Sequence, residues 1–168
     1  MSGTGARVWL EAARAEDVVA LAEIERQSYT HPWPQTAFAQ AVLDTRVRVL
    51  VLREASATGR VDMEILAYCV LQVVADELQI HNLAVRESAR RRGLARVLLG
   101  LVLDLGRRQG AREAYLEVRA SNAAAIALYR GSGFEVAGSR QGYYESPRED
   151  ALLMRLELES LKSAGTAW

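Results

Sequence analysis

The sequence predicts a single α/β domain in which a mixed, mostly antiparallel sheet is flanked by helices. Strand-like apolar runs dominate residues 46–85, a long amphipathic helix follows them, and further strands alternate with one helix up to residue 158. Because the long helix connects two strands, the strand after it can lie parallel to the strand before it. The chain has 168 residues, enough for one well-buried core and too few for two comfortable domains.

The first part of the chain predicts one strand and two helices. Arg7–Ala12 has the composition of a short strand, and Glu16–Gln27 carries apolar residues at helical spacing. These apolar residues are Val18, Val19, Leu21, Ala22 and Ile24. Pro32 and Pro34 end this helix, because proline removes a donor from the helical hydrogen-bond ladder. Pro34 then occupies the first turn of a second helix that runs through Val42.

The connection between these two helices has an aromatic residue, Trp33, between its two prolines. A rigid aromatic segment of this kind is a candidate wall of a substrate groove. The alternative is a packed loop that only tethers one helix to the other.

The middle of the chain predicts an antiparallel meander of three strands, at Arg46–Arg53, Met63–Val74 and Glu77–Val85. Turn-forming residues at Ala55–Arg60 join the first two strands, and the acidic turn Ala75-Asp76 joins the last two.

The most informative stretch, Ile80–Leu105, contains a strand end, an arginine-rich loop with Gly93, and the long helix. The predicted apolar stripe of this helix is Leu94, Val97, Leu98, Leu101, Val102 and Leu105. Such a loop presents backbone N–H groups, the positive end of the helix dipole and arginine side chains, so it can hold a phosphate or pyrophosphate. The alternative is a solvated basic turn before a surface helix.

The last part of the chain predicts three strands and one helix. The strands are Glu113–Val118, Phe134–Tyr144 and Ala151–Leu158, and the helix is Asn122–Arg130. The tail Ser160–Trp168 is expected to be loosely ordered, so the predicted domain comprises residues 1–159.

Composition argues against several functional classes. Twenty-one basic residues balance twenty-one acidic ones, whereas a dedicated nucleic-acid binder usually carries a positive excess. Cys69 is the single cysteine and lies in an apolar run, so we interpret it as a core residue. His31 and His81 lack the spacing of a metal site, and we expect no metal. Without a signal-peptide pattern or a membrane-length apolar run, we expect a cytoplasmic protein with no membrane or nucleic-acid partner.

Two motifs carry a resemblance to a known family. The pattern Arg-x-x-Gly-x-Ala at Arg90, Gly93 and Ala95 resembles the coenzyme A pyrophosphate loop of the GCN5-related N-acetyltransferases, the GNAT superfamily. The stretch LEVRASNAAAIALY at residues 116–129 is similar to the RimI-type ribosomal-protein alanine N-acetyltransferases. Ala95 departs from the pattern, since many members have glycine there.

Further matches place this resemblance between about Asp76 and Leu156. They are Gly133-Phe134, Gly142-Tyr143-Tyr144 and Arg148-Glu149-Asp150-Ala151, with an upstream echo in Pro32-Trp33. The resemblance implies a GNAT-like fold with a splayed parallel strand pair at the cofactor site, and acetyl-CoA as the cosubstrate.

The resemblance also implies roles for individual residues. The residues implied to contact acetyl-CoA are Leu83, Ala84, Val85, Arg91, Arg92, Gly93, Leu94, Ala95, Arg96 and Asn122. Glu117 matches the general base of the family, and Tyr129 matches its proton donor. Trp33, Tyr143 and Tyr144 are implied to contact the acceptor.

Acyl transfer to an amine gives these two residues a chemical rationale. The amine must be neutral, and an α-amino group with a pKa of about 8 needs only modest help from a carboxylate such as Glu117. The leaving thiolate needs a proton, which a phenol such as Tyr129 can supply after local tuning. As alternatives, Glu117 could be an exposed strand residue paired with Arg119, Tyr129 a core aromatic and Asn122 a helix N-cap.

The expected function is an acetyl-CoA-dependent transfer to the N-terminal α-amine of a protein, with the N-terminal alanine of a ribosomal protein as the acceptor, through a ternary complex. One alternative acceptor is a small amine or a lysine side chain. The other alternative is a non-catalytic coenzyme A-binding module, which the presence of both Glu117 and Tyr129 disfavours. The aromatic pair Tyr143-Tyr144 favours a peptide acceptor.

Overall fold

The computed structural model describes residues 8–55 and 64–159. Most of the predicted turn Ala55–Arg60 and the whole predicted tail Ser160–Trp168 lie outside the described residues, as do Arg7 and Met63.

Seven strands and four α-helices form within the described ranges. The strands are β1 (Val8–Ala12), β2 (Arg48–Glu54), β3 (Glu64–Val74), β4 (Glu77–Val85), β5 (Glu113–Arg119), β6 (Glu135–Glu145) and β7 (Arg148–Glu157). The helices are α1 (Val18–Ser28), α2 (Gln35–Leu43), α3 (Leu94–Arg108) and α4 (Ala123–Gly131), with short 3-10 helices at Ala15–Asp17 and Glu87–Ala89. No helix in these ranges is both long and apolar enough to cross a bilayer.

The strand order is that of one seven-stranded sheet, β1-β2-β3-β4-β5-β7-β6. The pairs β1/β2, β2/β3, β5/β7 and β6/β7 are antiparallel. β4 and β5 are parallel, with Glu77–Ile80 opposite Glu113–Leu116. The mixed, mostly antiparallel sheet and the parallel pair joined through the long helix are therefore confirmed. The splay of the two strand ends beyond this register stays a prediction.

The chain divides into two compact units. The first comprises the residues up to 72 together with 81–99, and the second comprises 73–80 together with the residues from 100 onward. β3, β4 and α3 each have residues in both units.

The first unit is built on a core of side chains from α1, α2, β2 and β3. Its members include Leu21, Ile24, Phe38, Val49, Val51, Ile65, Tyr68 and Val70. The predicted stripe of α1 is right except at Val19, which is 61% exposed. With 3.6 residues per turn, Val19 is rotated away from the face that buries Val18, Leu21 and Ala22.

The apolar stripe predicted for α3 is partly wrong. The buried side chains are Leu94, Leu98, Leu99, Val102 and Leu103. Val97 and Leu101 are 49% and 39% exposed. In the second unit, a Cβ at Gly106 would come 2.8 Å from Cδ2 of Leu78, so close packing at this glycine helps to set which face of α3 is buried.

Two predicted boundaries also move. Pro34 is the N-cap of α2, because its ψ of 155° is extended, and the helix begins at Gln35. β7 begins at Arg148, where it pairs with Glu145 of β6, three residues before the predicted start at Ala151. The polar run Arg148–Asp150 has turn-like composition, and pairing with β6 makes it a strand.

Candidate active site

The loop before α3 contains two residues with left-handed backbone conformation. Arg91 and Gly93 have φ values of 63° and 73°, in the left-handed region that glycine adopts without strain. A Cβ at Gly93 would meet no atom within 4 Å, so the space in front of this residue is open. The N–H of Val97 bonds the carbonyl of Gly93, and the earlier N–H groups of the first helical turn, starting at Leu94, point toward the loop. The predicted loop residues therefore fit a pyrophosphate.

Arg90, the first arginine of the motif, anchors the loop. Its guanidinium donates to the carbonyl oxygens of Val85 at 3.3 Å and Gln27 at 3.0 Å, and to Oγ of Ser28 at 3.2 Å. These contacts tie the loop to the C-terminal end of α1. Sequence reasoning recognised Arg90 as part of the motif but not this anchoring role.

The other loop arginines differ in their partners. Arg92 forms an ion pair with Glu54 of β2 at 2.5 Å, and the hydrogen bond from Arg92 lowers the pKa of that carboxyl below its ordinary value. Arg91, Gly93 and Arg96 are exposed. The loop thus offers an anion two exposed guanidinium groups and one that Glu54 already partly neutralises.

Two backbone carbonyl groups at the end of β4, where contacts with acetyl-CoA are predicted, already accept hydrogen bonds within the protein. The carbonyl oxygen of Leu83 accepts a hydrogen bond from the Tyr29 hydroxyl at 2.5 Å, and that of Val85 accepts from Arg90. Leu83 and Ala84 are buried. Since a carbonyl oxygen has a second lone pair, these groups retain acceptor capacity, and their role toward a cofactor stays a prediction.

A buried carboxylate that sequence reasoning missed lies close to this strand end. Glu25 of α1 is 1% exposed and accepts hydrogen bonds from the Trp33 N–H at 2.9 Å, the Asn82 side chain at 3.1 Å and the Tyr68 hydroxyl. Burial, and then the charge of Glu25, raises the pKa of Tyr68. In the sequence, Glu25 looks like any polar residue of an amphipathic helix, so no local signal marks it.

Trp33 is part of this arrangement. Its ring lies 5.6 Å from the ring of Phe38 and packs against the core of the first unit. Its backbone N–H donates a hydrogen bond to Glu25. The packed-loop interpretation of this connection is confirmed. Because Trp33 is only partly buried, its contact with an acceptor stays a prediction.

In the second unit, the residues of β5 alternate between a buried and a partly exposed face. Ala114, Leu116 and Val118 are buried, and Glu113, Tyr115, Glu117 and Arg119 share the other face. Glu117 forms an ion pair with Arg140 of β6, with 3.0 Å between Nη2 and Oε1. The alternative pairing of Glu117 with Arg119 is wrong, because β6 and β7 bring other partners to both side chains.

The partner of Arg119 is Glu149 of β7. Arg119 donates a hydrogen bond to Oε1 of Glu149 at 2.9 Å, and the N–H of Ser121 donates to Oε2 at 3.0 Å. These hydrogen bonds, with Arg119 the larger cause, lower the pKa of Glu149. The guanidinium of Arg119 also lies 3.9 Å from the ring centre of Tyr144, whose pKa is raised mainly by burial.

The two tyrosines predicted to face an acceptor lie on β6 next to this cluster. Their rings are 5.1 Å apart and nearly perpendicular. Tyr143 is 50% exposed, and the guanidinium of Arg140 lies 5.5 Å from its ring centre. Gly142, with a φ of 60°, donates its N–H to Oδ1 of Asp150 at 2.8 Å and fixes the strand just before the pair.

The two remaining predicted residues belong to α4. Asn122 is its N-cap, and Oδ1 of Asn122 accepts the N–H of Ala125 at 3.1 Å, as expected for asparagine at this position. Tyr129 is 8% exposed, and its ring packs against that of Phe134 at 5.8 Å. The N-cap and core-aromatic interpretations are both confirmed. The contact of Asn122 with coenzyme A and the proton donation by Tyr129 stay predictions.

Comparisons with known proteins identify the family. Residues 18–134 match the acetyltransferase (GNAT) family. The ribosomal protein bS18-alanine N-acetyltransferase of Escherichia coli K12 is 35% identical over 144 residues, 84% of this chain and 92% of that protein. A putative enzyme of the same name from Bacillus subtilis is 34% identical over 142 residues, 84% of this chain and 89% of that protein.

The same relationship appears among solved structures. The crystal structure of the E. coli ribosomal-protein-S18-alanine N-acetyltransferase superimposes with a TM-score of 0.79 at 33% identity, covering 96% of this chain and 100% of that chain. The similarity thus extends well beyond the half of the chain that its motifs had indicated. This chain belongs to the acetyltransferase (GNAT) family and is an acetyl-CoA-dependent N-acetyltransferase that resembles the RimI type.

Proposed function

We propose that residues 1–159 form an acetyltransferase domain that acetylates the N-terminal alanine of a ribosomal protein by direct transfer from acetyl-CoA within a ternary complex. The observation that carries this proposal is the 35% identity, over 84% of the chain, to an enzyme named for that acceptor. The partly exposed carboxylate at the end of β5 is consistent with it, because the reaction needs a base that an amine can reach.

The residues proposed to hold acetyl-CoA are those whose geometry suits an anion at the start of α3. The N–H groups that follow Gly93 and the exposed guanidinium groups of Arg91 and Arg96 would bind the pyrophosphate, with Arg92 contributing when it leaves Glu54. The backbone of Leu83–Val85 would align the remainder of the cofactor. The side-chain NH₂ of Asn122, whose oxygen caps α4, would add one donor.

Glu117 is proposed to take the proton of the acceptor amine, directly or through a water molecule. At pH 7.5 an α-ammonium with a pKa of about 8 needs only about 0.7 kcal/mol to lose its proton, whereas a lysine ammonium needs about 4 kcal/mol. A carboxylate that already faces a cation can stabilise the incoming ammonium and then accept its proton. The Tyr129 hydroxyl is proposed to donate a proton to the departing thiol sulfur.

Tyr143 and Tyr144, and separately Trp33, are each proposed to contact the acceptor peptide. Tyr143 exposes half of its surface, and Trp33 is partly exposed. Aromatic side chains of this kind provide contact area at low conformational cost. Tyr144 is stacked on Arg119 and would mainly orient Tyr143.

Mass spectrometry tests the acceptor class. The enzyme is incubated with acetyl-CoA and a peptide that begins with alanine and contains an internal lysine, and the acetylated position is read by fragmentation. The matched control is the same peptide with a blocked N-terminus. We expect acetylation of the free N-terminus and none of the control. Acetylation of the lysine in both peptides would overturn the proposed acceptor. In a separate kinetic experiment, parallel lines in double-reciprocal plots of initial velocity would overturn direct transfer.

A further inference from the structure

Arg119 and Arg140 lie on the same face of the sheet but are held differently. Arg119 is 23% exposed, hydrogen bonded to Glu149 and stacked on Tyr144. The Arg140 side chain is 59% exposed, and among the described residues its ion-pair partner is Glu117. Arg119 is therefore fixed from two sides, whereas Arg140 can leave its partner at little cost.

The guanidinium of Arg140 occupies a position from which an acceptor ammonium could pair with Glu117. It lies 3.0 Å from the carboxylate oxygen of Glu117, the distance at which an ammonium would bind the same oxygen. Near neutral pH an α-amine with a pKa of about 8 arrives mostly as an ammonium. Arg140 and the acceptor are then two cations that compete for one carboxylate.

We infer that Arg140 is a positioning residue that holds Glu117 in the free enzyme and is exchanged for the ammonium of the acceptor. This inference rests on the proposed function, since it requires Glu117 to receive the amine. The exchange makes and breaks no covalent bond, and one cation replaces another, so the charge around Glu117 is conserved. Tyr143 offers the displaced guanidinium an alternative contact, because its half-exposed ring is already 5.5 Å away.

The expected size of the effect follows from competition. The apparent affinity for the acceptor equals the intrinsic affinity multiplied by the fraction of enzyme in which Glu117 is not paired with Arg140. For an exposed ion pair this fraction corresponds to a factor of about two to five. Removing the Arg140 charge should therefore tighten acceptor binding by about two- to fivefold, whereas loss of a purely structural contact would weaken binding or leave it unchanged.

Calorimetry with an alanine-initiated peptide, in the presence of coenzyme A, tests the inference. We expect Arg140→Gln to lower the peptide Kd by about two- to fivefold and Arg140→Lys, which keeps the charge, to stay near the wild-type value. The matched control is Arg155→Gln, because Arg155 pairs with Glu113 on the same face of β5, four residues before Glu117. This control should leave the peptide Kd unchanged. A raised or unchanged Kd in Arg140→Gln would overturn the inference.

A second pair of variants separates this inference from the proposed function. In a Glu117→Gln background the carboxylate for which the cations compete is gone, so adding Arg140→Gln should not change the peptide Kd. The same tightening in both backgrounds would overturn the exchange. Full activity of Glu117→Gln would instead overturn the assignment of Glu117 as the base, whatever Arg140 does to binding.

Discussion

Glu25 and Glu117 are both glutamates on regular elements that also carry apolar side chains, yet their surroundings differ. Glu25 is 1% exposed and receives hydrogen bonds from a backbone N–H, an amide and a phenol, all neutral donors fixed by the core. Glu117 has a side chain 26% exposed and faces one exposed cation. A carboxylate surrounded by fixed donors holds a structure together, whereas a partly exposed carboxylate paired with one exposed cation can be reached by an incoming group.

The largest effect is expected from removing the Glu117 carboxylate. Glu117→Gln should lower kcat/KM by roughly 10² to 10⁴ near pH 7, and the defect should shrink substantially by about pH 9, where the α-amine is already neutral. Steady-state kinetics between these pH values measures it. The control Glu113→Gln alters a carboxylate on the same face of β5 that pairs with Arg155. A defect of equal size at every pH would mean that Glu117 only positions the acceptor.

Removing the buried carboxylate should act on stability instead. Glu25→Ala leaves the Tyr68 hydroxyl, the Asn82 amide and the Trp33 N–H without their acceptor, so we expect the free energy of unfolding to fall by about 2–4 kcal/mol. Denaturant titration measures this change. Glu117→Gln, which breaks only a partly exposed pair, should change the same quantity by less than about 1 kcal/mol. Equal losses in the two variants would break the comparison between the two carboxylates.

A pair of tyrosines extends the comparison. Tyr129→Phe should lower kcat by roughly a hundredfold while coenzyme A affinity stays nearly intact, if the phenol protonates the leaving thiolate. Tyr68→Phe should lower the unfolding free energy by about 1–3 kcal/mol, because it takes a donor from Glu25, and leave kcat of the folded enzyme unchanged. Normal turnover of Tyr129→Phe would leave Tyr129 as a packing residue against Phe134.

The smallest effect is expected from removing Glu149, the partner of Arg119. The hydrogen bond from Arg119 lowers the pKa of Glu149 below the ordinary value of a glutamate carboxyl. Stability from this carboxylate is therefore present above the unfolded pKa and is lost as the pH falls through the lower folded pKa. Glu149→Gln should reduce Tm slightly at about pH 7, and the difference from the wild-type Tm should shrink as the pH falls below about 4.3, the ordinary pKa of glutamate. A difference that grows toward acid pH would contradict the assigned sign.

The predicted fold and the observed one agree where short-range pattern carries the information. Burial alternates along β5 with the period of two that its sequence shows, and α4 begins at Ala123, directly after the asparagine that caps it. The loop at Gly93 has the left-handed φ that its glycine suggested. Errors occur where the context is long-range, as for the buried face of α3, which includes Leu99 and Leu103 rather than Val97 and Leu101.

Residue patterns alone were sufficient for the order of strands and helices, the glycine turn before α3 and the presence of a carboxylate near the end of β5. They carry this information because periodicity, capping and turn chemistry act over a few neighbouring residues. Partner choice required the folded chain. Glu117 meets Arg140, 23 positions away, rather than Arg119, and Glu25 of α1 is buried where Tyr68 of β3 and Asn82 of β4 bond to it. Such pairings depend on strand register and helix rotation, which contacts between distant segments decide.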